Sequence, residues 1–382
     1  MDDDLEDELF HQTFLSHMRF LSKIVTNSPL NAAPFIYTLR ILKFYLLKPE
    51  TILLGFCLLV LFFFFHSLEL WLKTVVNRIQ IAVGLQTAAR SGLRFLVSNA
   101  AIKSEWKLKE GNAAVYAIQG RRPTMEDRFN IITDVEKTGI SLYGVFDGHG
   151  GQTASDFVEK RLFKSLSERL VASNDGNTDI NYAQILTEEI LNVDKELITI
   201  AKQRRDIAGT TAIVALQHKN KLVVANVGDS RGVICDNKGN AIPLSFDHKP
   251  QMLKERKRIK KAGGFVAFNG VWRVAGILAT SRALGDYPLK DRNLVIAEPD
   301  VLTFNLDDLK PQFMILASDG LWDTFTNSEA IEFVRSRLNG TLNGAWDITH
   351  QAFLRGSVDN ITVIVVNFKN DTAVKVSSSA AL

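Results

Sequence analysis

The residues best suited to chemistry in this chain are aspartates standing where apolar runs stop. Ile140 to Phe146 ends in Asp147-Gly148-His149-Gly150-Gly151, Phe313 to Ala317 in Ser318-Asp319-Gly320, and Val223 to Val227 in Gly228-Asp229. Asp359 and Asn360 stand directly ahead of the apolar run at Ile361, and Glu126-Asp127 directly ahead of another at Phe129. Short apolar runs bounded by turn residues read as strands. A carboxylate at a strand's mouth can leave the core and meet a ligand. Taken singly, each Asp-Gly is a turn; the repetition carries the signal. Asp147, Asp319 and Asp359 are far apart in the chain, so only folding can assemble them. If their strand ends share one edge of a sheet, they form an oxygen-rich cluster whose like charges need cations nearby. Carboxylate, carbonyl and water ligands without cysteine suit Mg²⁺ or Mn²⁺.

The elements that must position these acids are short. Strands are predicted at Ala113–Ile118, Phe129–Thr133, Ile140–Phe146, Thr210–Leu216, Lys221–Val227, Gly232–Cys235, Phe313–Ala317 and Ile361–Phe368. Helices are predicted at Gln152–Val171, Tyr182–Lys202, Gln251–Ala262 and Ser328–Leu338. Asn237-Lys-Gly-Asn240 reads as a hairpin turn and points to antiparallel pairing. Strands in hairpin succession with long helices inserted give an α+β class rather than a parallel βαβ sheet. A composition of 46% hydrophobic and 23% charged residues excludes a disordered chain. The net charge of +3 gives no general reason to expect a nucleic-acid partner. Cys57 and Cys235 are the only cysteines, too few for a disulfide framework.

The N-terminal part has a different character. Residues 1–50 combine an acidic tail (Asp2, Asp3, Asp4, Glu6, Asp7, Glu8) with an aromatic, partly basic segment at Phe35–Leu47 that reads as interfacial. The acidic start excludes a secretory signal. Thr51 to Leu68 contains no Asp, Glu, Lys or Arg. At about 1.5 Å per residue it spans roughly 27 Å, enough for a bilayer core, so residues 51–72 are expected to form a transmembrane helix. Residues 73–104 read as a basic juxtamembrane connector, 105–369 as the globular domain and 370–382 as a disordered tail. Basic residues beyond the span, from Arg90 to Lys109, favour a cytosolic globular domain. The sequons at Asn339, Asn360 and Asn370 point the same way, because a glycan on Asn360 would sit beside a candidate metal ligand. So short a span suits a thin bilayer such as the endoplasmic reticulum.

Nine motifs occur in a fixed order: Arg122-Pro-Thr-Met-Glu-Asp127, Phe146-Asp-Gly-His-Gly-Gly151, Ala208-Gly-Thr-Thr211, Asn226-Val-Gly-Asp-Ser-Arg231, Asp247-His-Lys-Pro250, Ala262-Gly-Gly264, Ser281-Arg-Ala-Leu-Gly-Asp286, Ser318-Asp-Gly-Leu-Trp-Asp323 and Asp359-Asn360. The series resembles the metal-dependent serine/threonine protein phosphatases of the type 2C or PPM family, over roughly residues 113–368. With the apolar span ahead of it, the chain resembles a membrane-anchored member. The resemblance implies a central sandwich of two antiparallel β-sheets flanked by helices. It also implies two Mn²⁺ or Mg²⁺ ions held by Asp147, the Gly148 carbonyl, Asp319 and Asp359. Glu126 and Asp127 match positions that hold metal-bound waters, and Asp229 and Asp323 match those of a weaker third ion. Arg122 matches the phosphate-binding arginine, and a guanidinium fork suits phosphate oxygens. His149 matches the acid that protonates the departing serine or threonine oxygen. The implied reaction is direct attack on phosphorus by a hydroxide generated between the ions. The implied partners are phosphoproteins, with stress-activated kinase cascades as the analogy.

Two other readings compete. Gly228-Asp-Ser-Arg-Gly232 fits the G-x-S-x-G nucleophile elbow, with Ser230 as nucleophile, but an elbow needs a following helix and Val233–Asn240 reads as strand and hairpin. A catalytically silent scaffold is the other, against which the complete set of acids argues. The basic run Lys254–Lys261 lacks interleaved aromatics and reads as a solvated helix face able to attract anionic phosphosubstrates. Asp247-His-Lys-Pro250 reads as a structural turn, with no evident partner for His248.

Overall fold

The computed structural model describes residues 104–173 and 180–369. The acidic tail, the expected transmembrane helix 51–72, the connector up to residue 103 and the tail 370–382 lie outside the described residues. Among the described residues no helix is long and apolar enough to cross a membrane.

Two antiparallel sheets form the centre. The first has six strands in the spatial order β1 (Glu105–Glu110), β2 (Ala113–Ile118), β16 (Ile361–Asn367), β15 (Phe313–Ala317), β9 (Arg231–Cys235) and β10 (Ala241–Pro243). The second has five, in the order β14 (Asp300–Asn305), β8 (Lys221–Val227), β7 (Ala212–His218), β4 (Ile140–Phe146) and β3 (Arg128–Ile132). A small sheet joins β13 (Leu284–Gly285), β6 (Gly209–Thr210) and β5 (Gly148–His149), and β11 (Val266–Asn269) pairs with β12 (Val271–Val274) as a separate hairpin. Helices α1 (Thr153–Ser173) and α2 (Tyr182–Arg204) cover the second sheet. Next come α3 (Leu253–Lys261) and the single turns α4 (Tyr287–Lys290), α5 (Leu306–Leu309) and α6 (Asp319–Trp322). Helices α7 (Asn327–Arg335) and α8 (Ala345–Leu354) cover the first sheet.

The central strands are apolar on both faces because each sheet is covered twice. On β16, Val363 and Val365 face α7 and α8, while Ile364 and Val366 face the other sheet. On β4, Leu142 and Phe146 face α1 and α2, while Tyr143 and Val145 enter the layer between the sheets. Full burial of each large apolar side chain stabilises the fold by about 1.5–3 kcal/mol, so a one-residue slip, which would exchange the two faces, is strongly disfavoured. The expected α+β sandwich of antiparallel sheets with helices outside is the architecture found.

Register then assembles the site. Ile361 pairs with Ile118, Ala317 with Val363 and with Arg231. In the other sheet, Ala212 pairs with Val227, Ile213 with Val145, and Arg128 with Phe146. The ends of β2, β4, β8 and β15, and the starts of β3, β7, β9 and β16, therefore lie at one end of the sandwich.

Four predicted strands, 113–118, 140–146, 221–227 and 313–317, have the observed bounds. The strand expected at Thr210–Leu216 instead starts at Ala212, with Thr210 paired in the small sheet. Asn237–Asn240 forms the expected hairpin turn, closed by Asp236 N–H donating to the Asn240 carbonyl at 3.1 Å. Edge strands β1 and β14 and helix α8 were not predicted.

Candidate active site

A cleft of about 300 Å³ opens where the strand ends meet, and Asp147, Asp319, Asp359, Asp229, Arg122 and His149 all line it. The fold supplies each in a different way. Asp147 follows β4. Its N–H donates to Thr211 Oγ1 at 3.1 Å, and its carbonyl accepts from Thr211 N at 2.9 Å and Thr210 Oγ1 at 3.1 Å. Asp319 opens α6 at the end of β15. Asp359 precedes β16 beside Asn360, whose buried amide donates to the Gln119 and Thr124 carbonyls and accepts from Glu126 N–H at 2.8 Å. Gly148 also lines the cleft, and a Cβ there would stand 2.5 Å from the Glu126 carbonyl oxygen. Only glycine fits that approach.

Charge at the site is unbalanced. Burial, then repulsion from Asp319, Asp127, Asp359 and Asp229, holds the Asp147 carboxyl well above the usual range. Burial, then Asp229, Asp359 and Asp323, does the same to Asp319. Asp127 lies behind the cleft, its Oδ2 accepting from Ser318 Oγ and Thr362 Oγ1 at 2.8 Å each. Burial pushes it up to about 7 despite those donors. Asp323 is raised as well, chiefly by burial. Glu126 accepts from Thr124 Oγ1 at 2.8 Å and from Gly151 N–H at 3.2 Å.

Two cations partly offset these acids. Arg122 Nη2 is 2.5 Å from Asp359 Oδ2. Lys249 Nζ is 2.5 Å from Asp229 Oδ2. Among the described residues, no three Asp, Glu, His or Cys side chains are arranged to hold a metal ion by themselves. The donor set nevertheless fits divalent cations. It is all oxygen, Gly148 lines the same cleft, and its buried carboxylates repel one another in a way added positive charge would relieve.

His149 is held by a residue that sequence reasoning passed over. Its Nε2 lies 2.8 Å from Asp286 Oδ2 and 3.0 Å from Oδ1. Burial opposes the charged imidazole, but Asp286, with smaller contributions from Asp229 and Glu126, outweighs it and raises the pKa. With Nε2 committed to the carboxylate, Nδ1 is the nitrogen free to carry a transferable proton. Asp286 is itself fixed. Its N–H donates to the Ala208 carbonyl at 3.1 Å, and the neighbouring Gly285 N–H and Lys290 Nζ donate to Asp194 on α2, both at 2.9 Å. A Cβ on Gly209 would stand 2.0 Å from Asp286 Oδ2 and 2.5 Å from His149 Nε2. The signal for Asp286 was its place at the end of the motif Ser281–Asp286.

One expectation holds and one needs correction. As the strand expected after it requires, Ser230 is not placed as a nucleophile. It is fully buried, its hydroxyl lies 2.8 Å from Thr211 Oγ1, and β9 rather than a helix follows it. His248 does have partners. Its Nδ1 accepts from Gly228 N–H at 3.0 Å, and Nε2, which makes no hydrogen bond, lies 3.3 Å from Asp300 Oδ2.

A sandwich of this kind with carboxylates at one end defines a class. The family model described as protein phosphatase 2C matches residues 112–361, and the chain belongs to that family, whose members depend on Mg²⁺ or Mn²⁺. The chain is 50% identical over 346 residues to protein phosphatase 1L of Bos taurus, covering 87% of this chain and 95% of that protein. It is 41% identical over 285 residues to probable protein phosphatase 2C 59 of Arabidopsis thaliana, covering 74% and 87%. The crystal structure of serine-threonine phosphatase 2C from Toxoplasma gondii superposes with a TM-score of 0.62 at 25% identity, covering 69% of this chain and 99% of that one.

Proposed function

We propose that this chain is a metal-dependent protein phosphatase that hydrolyses phosphoserine and phosphothreonine in proteins. The observation that carries it is the convergence of Asp147, Asp319 and Asp359 with Arg122 and His149 on one cleft. Two divalent ions held by Asp147, the Gly148 carbonyl, Asp319 and Asp359 would neutralise the acids, draw in the phosphate and lower the pKa of water enough to make it the nucleophile. Glu126 and Asp127 would orient bound water, and Asp229 with Asp323 would suit a weaker third ion. Arg122 supplies a guanidinium to the phosphate oxygens. It is half-exposed and already turned into the cleft by Asp359. His149 delivers a proton from Nδ1 to the departing serine or threonine oxygen, and Asp286 keeps the ring charged and oriented. No side chain need be phosphorylated.

Membrane anchoring through residues 51–72, with the catalytic domain in the cytosol and the endoplasmic reticulum as the membrane, belongs to the same proposal. It is supported by the charge-free span and the basic residues that follow it. Phosphoproteins of kinase cascades are the substrates it would serve, as a negative regulator. The test is release of phosphate from a phosphothreonine peptide by the full chain. It should require added Mg²⁺ or Mn²⁺ and be lost in Asp319→Ala with the fold retained. Activity in excess chelator would refute the metal mechanism, and a metal-saturated but inactive wild type would leave only the scaffold.

A further inference from the structure

Residues 253–295 include a small unit beside the cleft. Ile259 of α3 packs with Val274, Ala283, Leu294 and Val295 in a core separate from those of the sandwich. The unit reaches the active site directly, because Arg273, Leu278, Ala279 and Thr280 form one wall of the cleft. Behind that wall, Arg258 Nη2 donates to the Ser281 carbonyl at 2.7 Å, and Arg282 Nη2 lies 2.6 Å from Glu255 Oε1. Glu255, the acid of α3, is therefore turned inward and neutralised. The charged side chains that α3 leaves exposed are all lysines. Lys254 pairs with Asp300 at 3.2 Å, while the side chains of Lys257, Lys260 and Lys261 make no hydrogen bond or ion pair among the described residues. The β11–β12 hairpin, whose Val266 and Val274 share the small core with Ile259, leaves apolar side chains in water in and around it: Phe265 is 58%, Phe268 63% and Ile277 64% exposed.

We propose that this face, α3 together with the β11–β12 hairpin, is a docking surface for acidic, aromatic- or aliphatic-containing segments flanking the phosphorylated residue of the substrate. The inference rests on the phosphatase reading and adds a substrate class to it. A phosphate seated beside Arg122 obliges the polypeptide on either side of it to leave over the cleft walls. The wall bearing Arg273 leads onto a face whose charge complements Asp, Glu or a second phosphate, and whose exposed phenylalanines complement apolar side chains.

The experiment compares three phosphothreonine peptides, identical except for acidic, neutral (Asn/Gln) or basic flanks, and p-nitrophenyl phosphate, using the full chain. The acidic peptide should have a kcat/KM about tenfold above the neutral one at low ionic strength, with the preference fading as salt rises. The variant Lys257→Glu/Lys260→Glu/Lys261→Glu should abolish or invert that order while leaving p-nitrophenyl phosphate hydrolysis within about twofold. Phe268→Ser should lower all three peptide rates and spare the small ester. Equal kcat/KM for the three peptides, alongside normal hydrolysis of each, would overturn the docking surface and leave the phosphatase standing. Failure to hydrolyse any of the four would overturn the phosphatase reading instead. A fluorophore at Phe268→Cys, in a Cys57→Ser background, that responds to nanodiscs rich in phosphatidylserine but not to the acidic peptide would assign the face to lipid and also overturn the proposal.

Discussion

Replacing Asp286 by asparagine removes a charge from the site while keeping the shape and one hydrogen bond to His149. The carboxylate sits 2.8 Å from Nε2 and is itself almost fully buried, so the interaction is that of a charge-assisted bond. Such a bond contributes about 1.5–3 kcal/mol against about 0.5–1.5 kcal/mol for a neutral one. The difference, about 1–1.5 kcal/mol, bears on the charged imidazole and hence on proton delivery, and about 1.4 kcal/mol is a factor of ten in rate. Asp286→Asn is therefore expected to lower kcat about tenfold on a phosphothreonine peptide, whose alkoxide needs a proton to depart. On p-nitrophenyl phosphate, whose phenolate leaves readily, the loss should be less than about twofold. His149→Ala removes the acid altogether and should cost about 10²–10⁴-fold on the peptide. Adding Asp286→Asn to it should then change nothing, because the two residues act as one unit. Steady-state rates for both substrates in all four forms provide the measurement. Equal loss on the two substrates, or a further loss on top of His149→Ala, would show that Asp286 acts through something other than the histidine's proton.

Two further outcomes follow from the geometry. Burial opposes the charge of Glu255, but Arg282 and Arg258 outweigh it and depress its pKa below 4.5. The carboxylate's contribution to stability is thus present above the unfolded value and lost as the pH falls through the depressed one. Glu255→Gln should cost about 3–5 kcal/mol near neutral pH, because it leaves buried guanidinium charge uncompensated, and thermal unfolding should become less pH-sensitive below about 4.5. An unchanged melting temperature at pH 7 would contradict this account. Ser230→Ala should retain most phosphatase activity and cost about 1–3 kcal/mol for the hydrogen bond lost at Thr211. Complete inactivation of a folded variant would restore Ser230 as a candidate nucleophile.

What could be read from the chain depended on how many faces an element buries. Strands β2, β4, β8 and β15 are covered on both sides and appear as largely apolar runs, so their bounds were legible. Edge strands β1 and β14 carry Glu105, Lys107 and Lys109, or Asp300 and Asn305, and resemble loops. Helix α8 is preceded by Gly344, in the left-handed region and without a side-chain cap, which removed the usual start signal. In the site, Asp147, Asp319 and Asp359 were legible because each adjoins an apolar strand. Asp286 follows a two-residue strand, in a backbone conformation with φ 55°, and nothing local marks it as the partner of a histidine 137 residues away.

The sequence by itself determined the chemistry available: oxygen donors at strand ends, one histidine among glycines, an arginine ahead of Glu126 and Asp127, and a charge-free span before the domain. These are properties of residue type and short-range pattern. Tertiary structure alone decided which groups meet. It paired His149 with Asp286, turned Glu255 inward so that α3 presents a basic face, seated Lys249 on Asp229 and buried Ser230 against Thr211. Strand register and the packing of two sheets fix those contacts, and both are set by side chains from many parts of the chain at once. No local stretch of sequence contains that information.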